Sequence, residues 1–173
     1  MDTIATAPAG KAEALAARYG ADAIPSAGPW NDAIGLLLRH RSVRGYLPTA
    51  LPEGTLETLV AAAQSAATSS NMQTWSVVAV DDPAVRAELA EVAQQPRHIN
   101  QCPLFLVWLA DLSRLGRLAE AEGTTLAGLP YLETFLVAAI DAALAAQNAV
   151  IAAEALGLST VYIGALRNDP VRV

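Results

Sequence analysis

Residues 129–156 read LPYLETFLVAAIDAALAAQNAVIAAEAL, and the fold class turns on whether this stretch spans a membrane or lies inside a folded domain. It is long enough to cross a bilayer. Glu133, Asp141, Gln147, Asn148 and Glu154 are spread through it, and a charged group near the bilayer centre costs about 2.5–3.5 kcal/mol. The stretch is therefore expected to be a buried helix of a protein that does not span a membrane. Its alanines let neighbouring backbones approach closely, so it runs through the core or along an interface between subunits. Gly157 follows in the position where a left-handed residue closes a helix.

Outward from this helix the chain alternates element types. Glu53 to Ala66 carries Leu56, Leu59, Val60 and Ala63 at helical spacing. Trp75 to Val80 reads as a strand, and Asp82-Pro83 as an N-cap followed by proline at the first position of a helix reaching about Gln94. Leu104 to Ala110 is an apolar run suited to a buried strand. Residues 112–122 form a further helix, and Ser159 to Ile163, rich in β-branched residues, a third strand. Ahead of all these, a helix over about Asp32 to Leu38 follows a leader broken by Gly10, Gly20, Pro25, Gly28 and Pro29, with one helix near Lys11 to Arg18. The expected organisation is an appendage at 1–30 and one α+β domain at 31–173, undivided by any repeat or low-complexity linker.

Composition narrows the function. Among 173 residues, 53% are hydrophobic and 16% charged, apolar enough to suggest surface buried between subunits. A net charge of -6 argues against nucleic-acid binding, which needs a basic surface to displace counterions. One cysteine, Cys102, rules out an internal disulfide framework, and its apolar neighbours suggest a buried thiol. Met1-Asp2-Thr3 carries no basic stretch ahead of an apolar run, so the expected compartment is the cytoplasm. The chain lacks the glycine-rich dinucleotide and P-loop signatures, the hydrolase elbow and the paired-histidine zinc motif. His40 and His98 stand without metal-ligand spacing, so redox chemistry would need an organic cofactor.

Two polar islands stand out: His40-Arg41-Ser42-Val43-Arg44, and Thr68-Ser69-Ser70-Asn71-Met72-Gln73-Thr74-Trp75. The first offers fixed positive charge and the second neutral hydrogen-bonding groups, which together suit a ligand with a phosphate at one end and a polar ring at the other. Flavin mononucleotide (FMN) has that form. The plain alternatives are a solvated basic turn closing a helix and a helix-terminating loop held by local side-chain bonds.

These islands, with Ala146-Gln147-Asn148-Ala149 and Val161-Tyr162-Ile163-Gly164-Ala165-Leu166-Arg167-Asn168, resemble the FMN-dependent nitroreductase family over about residues 34–170, most of all its NADPH-dependent, oxygen-insensitive, flavin reductase P-like branch. The resemblance implies a homodimeric α+β fold, with a central mixed, mainly antiparallel sheet flanked by helices and the flavin at the subunit interface. It implies hydride transfer from NADPH or NADH to FMN, then to a nitroaromatic, quinone or flavin acceptor, with no side chain as nucleophile or general base.

The resemblance also distributes roles within the island that His40 opens. Arg41 and Ser42 match positions that hold the ribityl phosphate, and Arg44 the basic residue near the pyrimidine edge. Thr68, Ser69, Ser70, Asn71 and Gln73 match a flavin-contacting loop. Tyr162, Ile163, Gly164 and Ala165 match the strand end beside the central ring, where Gly164 would let backbone approach a flat ligand. Arg167 is either a phosphate contact or a surface cation. The chain departs from the family at Ala165, where relatives often have a second glycine. It also departs at Pro96, where Gln95 would supply a missing polar contact and His98 would sit at the surface. The family's C-terminal basic residues and partner-embracing arm have no counterpart here. The leading reading is an FMN-dependent NAD(P)H oxidoreductase. The second is a non-enzymatic flavin-binding or flavin-sequestering protein on the same fold, and the third an interaction domain without cofactor.

Overall fold

The structure is a computed structural model that describes residues 10–23, 25, 28–94 and 96–173; Gln95, the suggested substitute for a polar residue at Pro96, lies outside them. The chain divides into two units, Met1–Val43 with Val150–Tyr162, and Arg44–Ala149 with Ile163–Val173.

In the first unit, α1 (Lys11–Tyr19) packs on α2 (Asp32–Arg39) and buries Ala14 and Leu15. α2 begins where the Asn31 side chain accepts a hydrogen bond from Ile34 N–H at 3.0 Å, satisfying a donor that the first turn leaves without a helical partner. The unit also holds the last turns of the long helix α7 (Leu132–Ala155). These close as the sequence predicts: Gly157 has φ 78°, its N–H donates to Glu154 O at 3.0 Å, and Leu158 N–H reaches back to Ala153 O at 2.9 Å. That pair of bonds is a Schellman cap. The expected third strand at Ser159 to Ile163 does not form. Val43 N–H donates to Thr160 O at 3.0 Å, and β-branched residues without a ladder of such bonds stay extended but unpaired.

In the second unit, α3 (Thr55–Gln64) precedes β1 (Trp75–Ala79), which pairs antiparallel with β2 (Leu106–Ala110); Trp75 lies opposite Ala110 and Ala79 opposite Leu106. Between them run α4 (Pro83–Val92), with Asp82 accepting from Ala84 N–H at 2.8 Å, and α5 (Pro96–Gln101). α6 (Ser113–Ala121) follows β2. Val80, Leu89, Ala90, Ala93, Ile99, Cys102, Phe105 and Val107 form the core under this two-stranded sheet, and Tyr46, Ile163, Ala165 and Leu166 pack against it. A two-stranded sheet alone is marginal in water, and these helices supply the apolar face it needs. Helices with an antiparallel sheet make the α+β class expected. Cys102 is the buried thiol predicted, and burial pushes its pKa up. His98 corrects the sequence reading: α5 turns it inward, and it is buried rather than at the surface.

By length and composition α7 could cross a membrane, yet the polar residues at its middle have partners. Asp141 is 2% exposed and accepts from both the N–H and the hydroxyl of Thr74 at 3.1 and 3.0 Å. Asn148 donates to Ala62 O at 3.2 Å. Ala138, Ala142, Ala145 and Ala149 are buried on this face. By helical spacing, Leu132, Leu136, Ile140 and Leu144 share the opposite face, and all four are exposed.

Candidate functional site

The basic island begins where α2 stops. His40 caps the helix in extended backbone, with ψ 131°, and carries the chain out of its last turn. Its Nδ1 lies 2.5 Å from Glu154 Oε1, and Thr160 Oγ1 donates to the same oxygen at 3.5 Å. The His40 carbonyl oxygen accepts from Arg41 Nη1 at 2.8 Å and from Arg18 Nη1 at 2.9 Å. Arg41 donates further to Leu38 O at 3.3 Å and to Ala17 O at 3.1 Å. Ser42 is exposed beside it. The bond between Val43 and Thr160 lays this turn along residues 159–162, so His40, Arg41, Ser42 and Tyr162 belong to one neighbourhood of the first unit. Burial raises the Tyr162 pKa, and the negative charge of Glu154 raises it further.

The remaining predicted residues lie in the second unit. Arg44 is exposed, and its charge opposes the rise that burial imposes on the Tyr46 hydroxyl. In the second island, Thr68 Oγ1 accepts from Asn71 N–H at 3.1 Å, and Gln73 donates to Asn71 Oδ1 at 3.1 Å. Asn71 and Gln73 take φ of 53° and 48°, left-handed conformations that cost a non-glycine residue about 1–3 kcal/mol and persist only where surrounding structure enforces them. The enforcement is visible: Arg114 donates to Gln73 O, and Asp141 holds Thr74, the next residue. Ser69 and Ser70 are exposed. Ile163 and Ala165 pack on the core, Ala165 with negative φ in the 3-10 turn Gly164–Asn168, so alanine fits where relatives have glycine. The hydrogen side of Gly164 faces the Arg167 guanidinium, whose Nη2 a Cβ would meet at 2.8 Å.

The donor set of the first unit fits a phosphate monoester. Arg41 and Ser42 offer a guanidinium and a hydroxyl, both exposed, and no carboxylate pairs with Arg41 among the described residues. Among the described residues no three His, Cys, Asp or Glu side chains are placed to share a metal ion. Sequence reasoning missed Arg18, Arg114, Asp141 and Glu154 as partners of the islands. For Asp141 and Glu154 the signal was present, because an acidic side chain inside an apolar helix is rarely buried without a hydrogen-bonding partner. Arg18 and Arg114 gave none.

The model of the Nitroreductase family matches residues 37–172. A curated FMN reductase (NADPH) of Bacillus subtilis is 42% identical over 140 residues, covering 80% of this chain and 56% of that protein. Among solved structures, the NfrA1 nitroreductase from B. subtilis superposes with a TM-score of 0.76 at 42% identity over 79% of this chain and 56% of that one. The NADPH:FMN oxidoreductase from Vibrio harveyi complexed with NAD+ gives 0.73 at 33% identity, covering 82% and 62%. The chain thus spans little more than half the length of the relatives it matches, and residues 1–36 lie outside the family match.

Proposed function

Since this chain belongs to the nitroreductase family, we propose that it is an FMN-dependent NAD(P)H oxidoreductase acting on a nitroaromatic, quinone or flavin acceptor. The observation that carries the reading is the turn His40-Arg41-Ser42. It presents positive charge and an exposed hydroxyl, and its guanidinium has no carboxylate partner among the described residues.

When bound, FMN would supply the hydride chemistry that links the nicotinamide to the acceptor. The chain's own residues hold and orient. Arg41 and Ser42 take the phosphate, and the carbonyls of Leu38, His40 and Ala17 fix the direction of the Arg41 fork. A fork fixed beforehand loses less side-chain freedom on binding. Arg44 places positive charge for the pyrimidine edge. Thr68, Ser69, Ser70, Asn71 and Gln73, in a loop tied down by Asp141 and Arg114, offer hydrogen bonds to the ring system. Tyr162, Ile163, Gly164 and Ala165 would line the ring system, with the Arg167 guanidinium on the side of Gly164 where a Cβ would stand.

The functional form is a homodimer. Its support is the row Leu132, Leu136, Ile140 and Leu144 on α7, exposed by 70%, 49%, 56% and 41%, a contiguous apolar face of the kind that marks association surfaces. The expected compartment is the cytoplasm, where a buried free thiol such as Cys102 stays reduced.

The test is the visible spectrum of the purified protein before and after NADPH under anaerobic conditions. A flavin spectrum that bleaches supports the oxidoreductase. A yellow protein that does not bleach points to flavin sequestration, and a colourless protein that ignores added FMN overturns the flavin site.

A further inference from the structure

Arg18 belongs to α1, which precedes the family-matched stretch, yet its guanidinium lies on the basic island. Arg18 Nη1 and Arg41 Nη1 converge on one acceptor, the His40 carbonyl oxygen, at 2.9 and 2.8 Å. Two cations are thereby held side by side. Like charges held against one shared acceptor repel, and a neutral carbonyl does not cancel that repulsion. No carboxylate pairs with either arginine among the described residues, and Glu154, the acid joined to this turn, is engaged by His40 Nδ1. An arrangement that assembles positive charge and leaves it uncompensated is complementary to an anion.

The donors point the same way. Of the five N–H groups of a guanidinium, Arg41 uses three on Leu38 O, His40 O and Ala17 O, and Arg18 uses one. The rest, with the Ser42 hydroxyl, remain for a ligand. The two elements also hold each other, Arg41 bonding the last turn of α1 through Ala17 O while Arg18 bonds the island.

We propose that Arg18 is a phosphate ligand, sharing a phosphate monoester with Arg41 and Ser42. This rests on the functional reading above and extends it, since the residue comes from a segment outside the family match. The monoester is either the 5′-phosphate of FMN or the 2′-phosphate of NADPH. A helix C-terminus also attracts an arginine through its dipole alone, and the test separates the two roles.

The experiment titrates flavin-free full-length protein with FMN and with riboflavin, which lacks the phosphate, and measures KM for NADPH and NADH on the reloaded enzyme. The variants are Arg18→Gln, Arg18→Lys and Arg41→Gln, with thermal melts as the folding control. For the FMN source, Arg18→Gln weakens FMN about tenfold or more, leaves riboflavin unchanged, and Arg18→Lys restores much of the loss. For the NADPH source, FMN affinity holds while KM rises about tenfold for NADPH and not for NADH. Equal losses for FMN and riboflavin, or no change in either comparison, overturn the proposal. If Arg41→Gln abolishes the preference for FMN over riboflavin while Arg18→Gln does not, only Arg18 is refuted. If the unaltered protein shows no such preference, the phosphate-site reading beneath it fails as well.

Discussion

His40 Nδ1 and Glu154 Oε1 lie 2.5 Å apart although 114 positions separate them in sequence, so one hydrogen bond fastens the start of the basic island to the last turn of α7. Thr160 adds a weaker bond to the same carboxylate oxygen, and Val43 bonds Thr160, so Glu154 organises the whole turn. The His40 ring is about one-third exposed, at 34% against 13% for Glu154, which places the bond at the modest end of charged hydrogen bonds. Glu154→Ala should cost about 1 kcal/mol of stability. In a double-mutant cycle with His40→Ala, the second substitution should cost little once the first is made. Fully additive losses in melting experiments would mean that the two side chains do not interact in solution.

A larger effect is expected at Asp141. Thr74 is fully buried, at 0% exposure, and both its N–H and its hydroxyl donate to Asp141 Oδ2. Asp141→Ala strands two donors away from water, at about 1–3 kcal/mol for each. The left-handed backbone at Asn71 and Gln73 would lose its anchor with them. Asp141→Asn keeps one acceptor oxygen and should lie between wild type and alanine in denaturant midpoint. Hydrogen exchange supplies the second readout: amides of 71–75 should exchange faster in Asp141→Ala while those of α4 keep their protection. Uniform acceleration would show general destabilisation rather than release of this loop.

What could be read in advance depended on how local the cause was. Gly157, Asp82-Pro83 and the alanine face of α7 were legible because caps and helical periodicity act within a few residues. α5 was not, since six residues are too few to show a period, and His98 was misplaced with it. Ser159 to Ile163 has strand-forming side chains but lacks a neighbour with a matching edge, which is a property of tertiary structure. The islands could be located from composition, but not their fixings. Arg18, Asp141 and Glu154 reach their partners across 22, 67 and 114 positions, and no spacing rule covers such distances.

Asp111 gives the chain a component of acid sensitivity. Ser76 Oγ donates to Oδ2 at 2.5 Å and Ser113 Oγ to Oδ1 at 2.7 Å, and these bonds favour the charged form. These bonds, with smaller ones from the Arg114 and Ser113 backbone N–H groups, outweigh burial and lower its pKa from 3.8 to about 2. A carboxyl with a depressed folded-state pKa binds its proton more weakly folded than unfolded, so its contribution is full above about pH 4 and fades as pH falls towards 2. The group is partly exposed, and screening keeps the contribution small. Between pH 4 and 2 the wild type should lose slightly more stability than Asp111→Asn, in denaturant melts at fixed ionic strength. Parallel losses in the two proteins would remove Asp111 from the account.

The apolar row on α7 makes the prediction with the widest consequence. Leu136 and Ile140 are exposed by 49% and 56%, one turn apart and opposite the alanine face that Asp141 and Asn148 fix inward. Solvation of such a face is unfavourable by about 25 cal/mol for each Å² of apolar surface. A charge there removes the incentive to associate and touches none of the buried contacts. Leu136→Glu with Ile140→Glu should therefore convert a dimer to monomer in sedimentation equilibrium while leaving the helical circular dichroism signal intact. If the flavin site needs both subunits, FMN affinity should fall together with the dimer fraction. FMN affinity that stays constant across a monomerised sample would place the whole site within one chain, and a wild type that sediments as a monomer would leave the row to some other partner.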